Sequence, residues 1–372
     1  MPDNAAVWIE GRGAPLVVAP APYTEPGPGQ IVVRTRAVAV NPVDRYTQKL
    51  GTLLYRWKSY PFVPGFDLAG EVAVLGPGVS RFRVGDRVAA LAIGMEKSRN
   101  SSAEAAFQHY SVAMAQLTAP IPDEMSFAEA AVLPLGLSTA AVGLFEPTQL
   151  GLDRPFPSPS PKGRTVLVWS GSSSVGSNAI QLAVLAGYRV VTTASPRNAD
   201  HVRRLGASDV FDHHAVDVTD RIVRSLTGHE VAGALAIGPG SAAACIEVMG
   251  ACRGNRKVAI ATFPLDIESL PDRSGRAATM LRMLPRMIRA GGALWIAAKR
   301  QRVRTSTIWG TALSETDLGT AIFEGFLPEA LRSGRFVPSP APLVVGQGLD
   351  AIQAAFDRQK AGVSAAKVVV EL

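Results

Sequence analysis

The sequence predicts a two-domain α/β protein: a β-rich domain interrupted by a domain of alternating strands and helices. Three observations predict it. Short β-branched runs punctuated by Gly and Pro fill the first part of the chain. From about residue 164 to 261, nearly continuous apolar strands alternate with helical segments, the pattern of a parallel sheet covered on both faces. From about Thr311 the chain returns to isolated helices and a closing strand. A length of 372 residues suits two domains at roughly 150 residues each.

Composition narrows the class. Hydrophobic residues make up 47% and charged residues 19%, with 35 Gly and 27 Pro, which fits a packed, turn-rich enzyme and excludes a disordered or fibrous chain. Two cysteines, Cys245 and Cys252, cannot build a disulfide framework or a Cys-rich zinc site, and they suit a reducing compartment. The start, Met1-Pro2-Asp3-Asn4, lacks the features of a signal peptide, so a cytoplasmic protein is expected. The uncharged run Ala130 to Phe145, bounded by Glu129 and Glu146, is expected to be a buried turn of structure, too short to cross a bilayer. A net charge of +7 allows an acidic ligand or partner without naming one.

In order along the chain, Gln30–Val38, Leu68–Leu75 and Asp86–Leu91 are expected strands of a barrel-like domain, with Gly76-Pro77-Gly78 as a turn. A helix begins at Phe127, with Ser126 as its cap and Glu129 at the third position. A Pro/Ser-rich loop (Pro155, Pro157, Ser158, Pro159, Ser160, Pro161) leads to the strand Thr165–Ser170, the helix Val175–Ala186 and the strand Arg189–Ala194. Strands at 209–211, 234–237 and 258–261 continue the series; helices at Glu324–Ser333 and Leu349–Lys360 and a strand at Lys367–Leu372 end it.

The most informative segment is Ser170-Gly171-Ser172-Ser173-Ser174-Val175-Gly176, between a strand and a helix. Small residues there let backbone amides approach a pyrophosphate, and the helix N-terminus adds partial positive charge. The strict G-x-G-x-x-G spacing is absent; Gly171 and Gly176 remain. An acidic residue at the end of the next strand would hold an unphosphorylated ribose, but this chain has Ser195-Pro196-Arg197-Asn198. A hydroxyl, a guanidinium and an amide bind a 2′-phosphate that a carboxylate would repel, so NADP(H) is favoured over NAD(H). His213, after the third strand, is a candidate contact to the adenosine end.

Over nearly its full length the chain resembles the medium-chain dehydrogenase/reductase superfamily. The resemblance is carried by Asn41-Pro42-Val43-Asp44, Val63-Pro64-Gly65-Phe66-Asp67-Leu68-Ala69-Gly70, Val84-Gly85-Asp86-Arg87-Val88 and Leu133-Pro134-Leu135-Gly136-Leu137-Ser138-Thr139-Ala140. It is most similar to the zinc-independent quinone reductase and enoyl reductase branch, and within that to fungal trans-acting enoyl reductases serving polyketide synthases. The resemblance implies a GroES-like β-rich catalytic domain (1–135 and 311–372), a Rossmann doubly wound parallel-sheet domain (136–310), and NADPH between them. It places Asn41, Pro42 and Thr139 near the nicotinamide. Gly171, Ser172, Ser173, Ser174, Val175 and Gly176 fall on the pyrophosphate, and Ser195, Arg197 and Asn198 on the 2′-phosphate.

Zinc-dependent members of the superfamily draw ligands from a Cys, a His and a second Cys. Aligned by these motifs, the positions hold Asn41, Phe66 and Leu135, which offer zinc neither thiolate nor imidazole. No metal is expected. Without that Lewis acid, the fitting chemistry is hydride transfer to an alkene conjugated with a carbonyl, or to a quinone. Tyr46 falls where related reductases carry a Tyr or Lys toward substrate and is the candidate donor to the developing enolate. Lys58 is the second candidate, with a surface lysine as the plainer reading. Asp44 and Asp67 are expected to cap or to bond backbone amides rather than form a catalytic pair, and the two cysteines to be packing thiols.

Nine basic residues lie between Arg273 and Arg304: Arg273, Arg276, Arg282, Arg286, Arg289, Lys299, Arg300, Arg302 and Arg304. They admit a solvated face, or a docking surface for the acidic carrier protein of a polyketide synthase or a coenzyme A phosphate. Nucleic acid is disfavoured because no aromatic interleaving or known module accompanies them. Three functions stay open: an NADPH-dependent reductase of an enone or enoyl thioester in secondary metabolism, a broad quinone reductase, and a redox-neutral NADPH-binding protein.

Overall fold

The computed structural model describes residues 2–155, 160–262, 267, 269–270 and 276–372, with the side chains of 276–278 left aside. Pro157, Ser158 and Pro159 of the predicted loop, Arg273 of the basic run, and part of the Phe263–Arg289 segment lie outside the described residues.

The chain opens with β1 (Asn4–Trp8), β2 (Val17–Ala21), β3 (Gln30–Ala39), α1 (Pro42–Leu50), β4 (Asp67–Leu75), β5 (Arg87–Leu91), β6 (Tyr110–Met114), β7 (Thr118–Pro120) and α2 (Phe127–Ala131). There follow α3 (Pro134–Phe145), β8 (Arg164–Val168), α4 (Ser174–Leu185), β9 (Arg189–Thr193), α5 (Ala199–Arg204), β10 (Asp209–Phe211), α6 (Val218–Leu226), β11 (Glu230–Ala236), α7 (Ser241–Ala251), β12 (Arg253–Gly254), β13 (Lys257–Ile260), α8 (Arg276–Gln301) and β14 (Arg304–Thr307). Helix Leu327–Arg332, β15 (Ala341–Gln347), helix Ala351–Lys360 and β16 (Ala366–Glu371) close the chain.

Two compact units result. Among the described residues, one comprises 2–135 and Ser314–Leu372; the other runs from Gly136 to Leu270 and from Arg276 to Leu313. In the first, a mostly antiparallel sheet runs β15-β16-β3-β4-β5-β7, with β6 also on β3. Its core gathers alternate residues of these strands, Val33, Leu68, Val72 and Val88 among them, against Phe107 and Phe356. In the second, six parallel strands run β10-β9-β8-β11-β13-β14. In chain order that is 3-2-1-4-5-6, the doubly wound arrangement. Its strands are apolar on both faces: Val166, Leu167, Val168, Val190, Val191 and Leu235 are all fully buried.

Several local expectations have their expected cause. Ser126 accepts from the Glu129 amide at 3.2 Å while the Glu129 carboxylate accepts from the Ser126 amide at 2.9 Å, a reciprocal cap that starts α2. The run Ala130 to Phe145 differs from the expected turn. It continues α2 into α3, and Phe127–Phe145 is long and apolar enough to cross a membrane by length and composition alone. That stretch is 83% buried within the protein, which makes it a core segment. The interrupting Gly136, Ser138, Thr139 and Gly143 do not break it: Ser138 turns its hydroxyl to the Gly310 carbonyl, and small residues permit close packing.

Candidate functional site

The turn after β8 lies at the point where strand order reverses, between β8 and β11, where open parallel sheets leave a crevice. Hydrogen bonds hold it to the ends of the two neighbouring strands, β9 and β11. The Trp169 amide donates to the Leu235 carbonyl at 2.9 Å and the Gly171 amide to the Thr193 carbonyl at 2.8 Å. The Ser170 amide donates to Thr193 Oγ1 at 2.9 Å, and its hydroxyl to the Ile237 carbonyl at 2.8 Å. Ser170 itself takes a left-handed φ of 63°, which a serine adopts only when such bonds compel it.

The two glycines are there for space. A Cβ on Gly176 would overlap the Ser170 carbonyl, and one on Gly171 would overlap the Thr192 hydroxyl. Ser173 caps α4: its hydroxyl accepts from the Gly176 amide at 3.1 Å and donates to the Ser170 carbonyl at 2.7 Å. The Ser174 hydroxyl is buried and has no hydrogen-bond partner among the described residues. Ser172, Ser173, Ser174 and Val175 are half-buried. A helix start with small residues, a close backbone approach and an unsatisfied hydroxyl fits an anionic diphosphate.

The predicted 2′-phosphate segment adjoins this turn. Asn198 Nδ2 reaches Ser172 Oγ at 3.5 Å, and Ser195 opens the short helix Pro196–Asn198 that follows β9. Arg197 is exposed and has no ion-pair partner among the described residues. His213 stands two residues beyond β10, half-buried, its ring 3.9 Å from that of His214. Thr139 is half-buried on α3 in this same unit.

Asn41, Pro42, Tyr46 and Lys58 belong to the other unit. Asn41 is the N-cap of α1 and Pro42 its first residue, where a missing amide costs nothing. Tyr46 is half-buried one turn further on, with the Arg45 guanidinium 5.8 Å from its ring centre. The plainer reading of Lys58 as a surface lysine does not hold. Its side chain is buried, Nζ donates to the Gly94 carbonyl at 2.6 Å and lies 5.9 Å from the Phe62 ring. Burial lowers its pKa to about 8, partly offset by Glu104 and Glu96.

Asp44 and Asp67 bond backbone amides, as expected, but they do so inside a buried network that sequence reasoning missed. Asp44 Oδ2 accepts from the Asn41 amide at 2.7 Å. Asp67 Oδ1 accepts from the Leu135 amide at 2.6 Å, and its Oδ2 from Asn41 Nδ2 and Lys367 Nζ, each at 2.6 Å. Lys367 also donates to the Val132 carbonyl at 3.0 Å. Burial pushes the Asp44 carboxyl up to about 8; Asp67 adds to this, while the hydrogen bonds from Asn41 and the charge of Lys367 oppose it. The available signal was a lysine at the head of the apolar strand Lys367-Val368-Val369-Val370. Cys245 and Cys252 are free and buried, and burial pushes both thiols up.

The alcohol dehydrogenase GroES-like domain model matches residues 27–123. A dehydrogenase of Monascus ruber, pigH, is 46% identical over 379 aligned positions that cover all of both chains. The chain belongs to the medium-chain dehydrogenase/reductase superfamily. Among this superfamily's fungal members, the trans-enoyl reductase himH of Aspergillus japonicus is 37% identical, over 99% of this chain and 97% of its own. Of the solved structures, mycobacterial Rv1454c, complexed with NADPH, shares the fold with a TM-score of 0.67 and 24% identity, covering 99% of this chain and 100% of its own. The superfamily's oxidoreductases include zinc-dependent members, and the donor set here does not fit that metal. Asn41 has committed its amide to two carboxylates, Phe66 offers only carbon and Leu135 gives only a backbone amide. Among the described residues no three His, Cys, Asp or Glu side chains gather into a metal-binding group.

Proposed function

We propose that the protein is a cytoplasmic, NADPH-dependent reductase of a carbon–carbon double bond conjugated to a carbonyl, an enone or enoyl thioester, in secondary metabolism. In this reading the Gly136–Leu270 unit binds nucleotide and the β-rich unit binds substrate. One observation carries it: the glycine turn at the strand-order reversal is bonded to a segment, Ser195 to Asn198, that holds a cation and no carboxylate. Kinship to a protein named as a trans-enoyl reductase supports the choice of double bond.

When bound, the nicotinamide supplies reducing equivalents as hydride. The amides of Ser172, Ser174 and Val175 at the α4 N-terminus, with Ser174 Oγ, would hold the diphosphate charge. Ser195, Arg197 and Asn198 hold the 2′-phosphate, and His213 meets the adenosine end. Thr139, on α3 of the nucleotide-binding unit, would contact the ring. The Tyr46 hydroxyl donates a hydrogen bond where negative charge gathers on the acceptor's carbonyl oxygen. Lys58 has its ammonium on the Gly94 carbonyl and serves the loop that follows α1.

Incubation with NADPH or NADH and a panel of enones, enoyl thioesters and quinones tests this. NADPH oxidation with enones or thioesters supports it. Turnover of quinones alone makes the protein a quinone reductase, and tight binding with no turnover makes it redox-neutral. Tyr46→Phe is expected to lower kcat about 100-fold with Kd for NADPH unchanged; equal turnover removes Tyr46 from the chemistry.

For a carrier-borne substrate we propose α8 as the docking surface for an acidic carrier protein. The helix has no acidic residue; Arg282, Arg286 and Arg289 are exposed along one side and Met280, Leu281, Leu284 and Ile288 along another. Reversing Arg282 and Arg286 to Glu is expected to weaken use of a carrier-bound enoyl group and spare the free thioester. An equal effect on both overturns it.

A further inference from the structure

The proposed chemistry has no part for the lysine buried near the start of β16. Sheet order accounts for the meeting. β16 and β4 lie on either side of β3, so Lys367 and Asp67, 300 residues apart, converge where β3 runs out into Asn41 and α1. Lys367 is 3% exposed, Asn41 6%, and Asp44 and Asp67 not at all. An unpaired carboxylate there would be costly, and one ammonium answers it.

The Asp67 carboxylate has an unusual pair of clients. Through Oδ2 it holds the side chain of Asn41, the N-cap of α1. Through Oδ1 it holds the amide of Leu135, one of the first-turn amides that α3 cannot bond within itself. A single anion thus anchors the N-termini of two helices, where the helix dipole favours negative charge. α1 carries Tyr46 and α3 carries Thr139.

We propose that Lys367 is a positioning residue, acting through Asp67 on the N-termini of α1 and α3. Its ammonium balances Asp67, which fixes Asn41 and the start of α3. This rests on the reading of the protein as an NADPH-dependent reductase, but the lock itself is a property of the fold. Asp44 is the neighbour that the single cation leaves over. Its Oδ1 is buried with no hydrogen-bond partner among the described residues, an arrangement that suits a neutral acid and not a second anion.

The test compares Lys367→Met, Lys367→Arg, and the charge-balanced pair Asp67→Asn with Lys367→Met. It measures amide hydrogen exchange in peptides covering 40–50 and 133–138, NADPH binding by fluorescence, and steady-state turnover. In Lys367→Met, exchange in both peptides is expected to rise while that of β8 and β9 stays unchanged. NADPH Kd should stay within about threefold, and kcat should fall about 100-fold, the cost of misplaced catalytic groups. Lys367→Arg should recover part of the loss. Should Lys367→Met fail to fold, the double variant decides, since it buries no unpaired charge; it is expected to fold and still exchange fast. Unchanged exchange in the double variant, or wild-type kcat in either Met variant, overturns the proposal. If the wild-type protein oxidises no NADPH with any acceptor, the functional reading fails, and the exchange measurements still decide the lock.

Discussion

The glycine turn after β8 and the Asp67–Lys367 network are built on opposite principles. The turn works by leaving things out: no Cβ at Gly171 or Gly176, no carboxylate at the end of β9, and a Ser174 hydroxyl left unsatisfied. The network works by pairing, with each Asp67 oxygen bonded and the ammonium answered twice, and Asp44 Oδ1 left without a partner among the described residues. A region kept for an incoming anion must present donors and space, whereas a region that orients other groups gains from being paired and rigid. The same contrast separates loss of binding from loss of alignment.

The largest effect is expected at the turn. In Gly176→Val, the new side chain meets the Ser170 carbonyl, and NADPH binding should weaken at least about 100-fold, close to 3 kcal/mol. A fluorescence titration measures it, and an unchanged Kd would show that the turn is not the diphosphate site. Arg197→Glu comes next. Replacing a cation by an anion beside the 2′-phosphate should cost roughly 10- to 100-fold in NADPH affinity, while NADH affinity stays level or improves. Equal losses for both coenzymes would remove the 2′-phosphate assignment.

A smaller effect follows from the cap. Ser173→Ala removes the acceptor of the Gly176 amide and should lower unfolding free energy by about 1 kcal/mol, read from denaturant midpoints; no shift would mean that α4 starts without it. The mildest variant is Asp44→Asn. Because the folded protein holds the Asp44 proton up to about pH 8, its contribution to stability is complete below about pH 4 and is lost as pH rises toward 8. Asn carries no such proton, so the variant's stability should vary less over that window. A parallel pH profile would show that Asp44 is ionised in the fold.

Much of this was legible from local pattern. The capping pair Ser126 and Glu129, the alternation from β8 to β13, and the small residues of the turn each act within a few positions of one another. The family motifs carried Asn41, Pro42 and Asp44 to the start of α1. Legibility failed where distance in sequence entered. Lys58 looked like a surface lysine because nothing near it in the chain reveals that Gly94 receives its ammonium. The run to Phe145 looked like a turn because Gly136 and Gly143 suggest breaks, whereas each makes room for a neighbour: Gly136 for Ser174, and Gly143 for Leu235 and Ile308.

By itself the sequence determined the two kinds of sheet and the chemical character of the turn, because periodicity, caps and glycine placement operate over one or two turns of chain; the superfamily came from the resemblance of its motifs. Only the tertiary structure decided that Asp67 pairs with Lys367 and anchors two helices, since that meeting depends on β3 lying between β4 and β16. Strand order is a long-range outcome of packing, and no short stretch of residues encodes it.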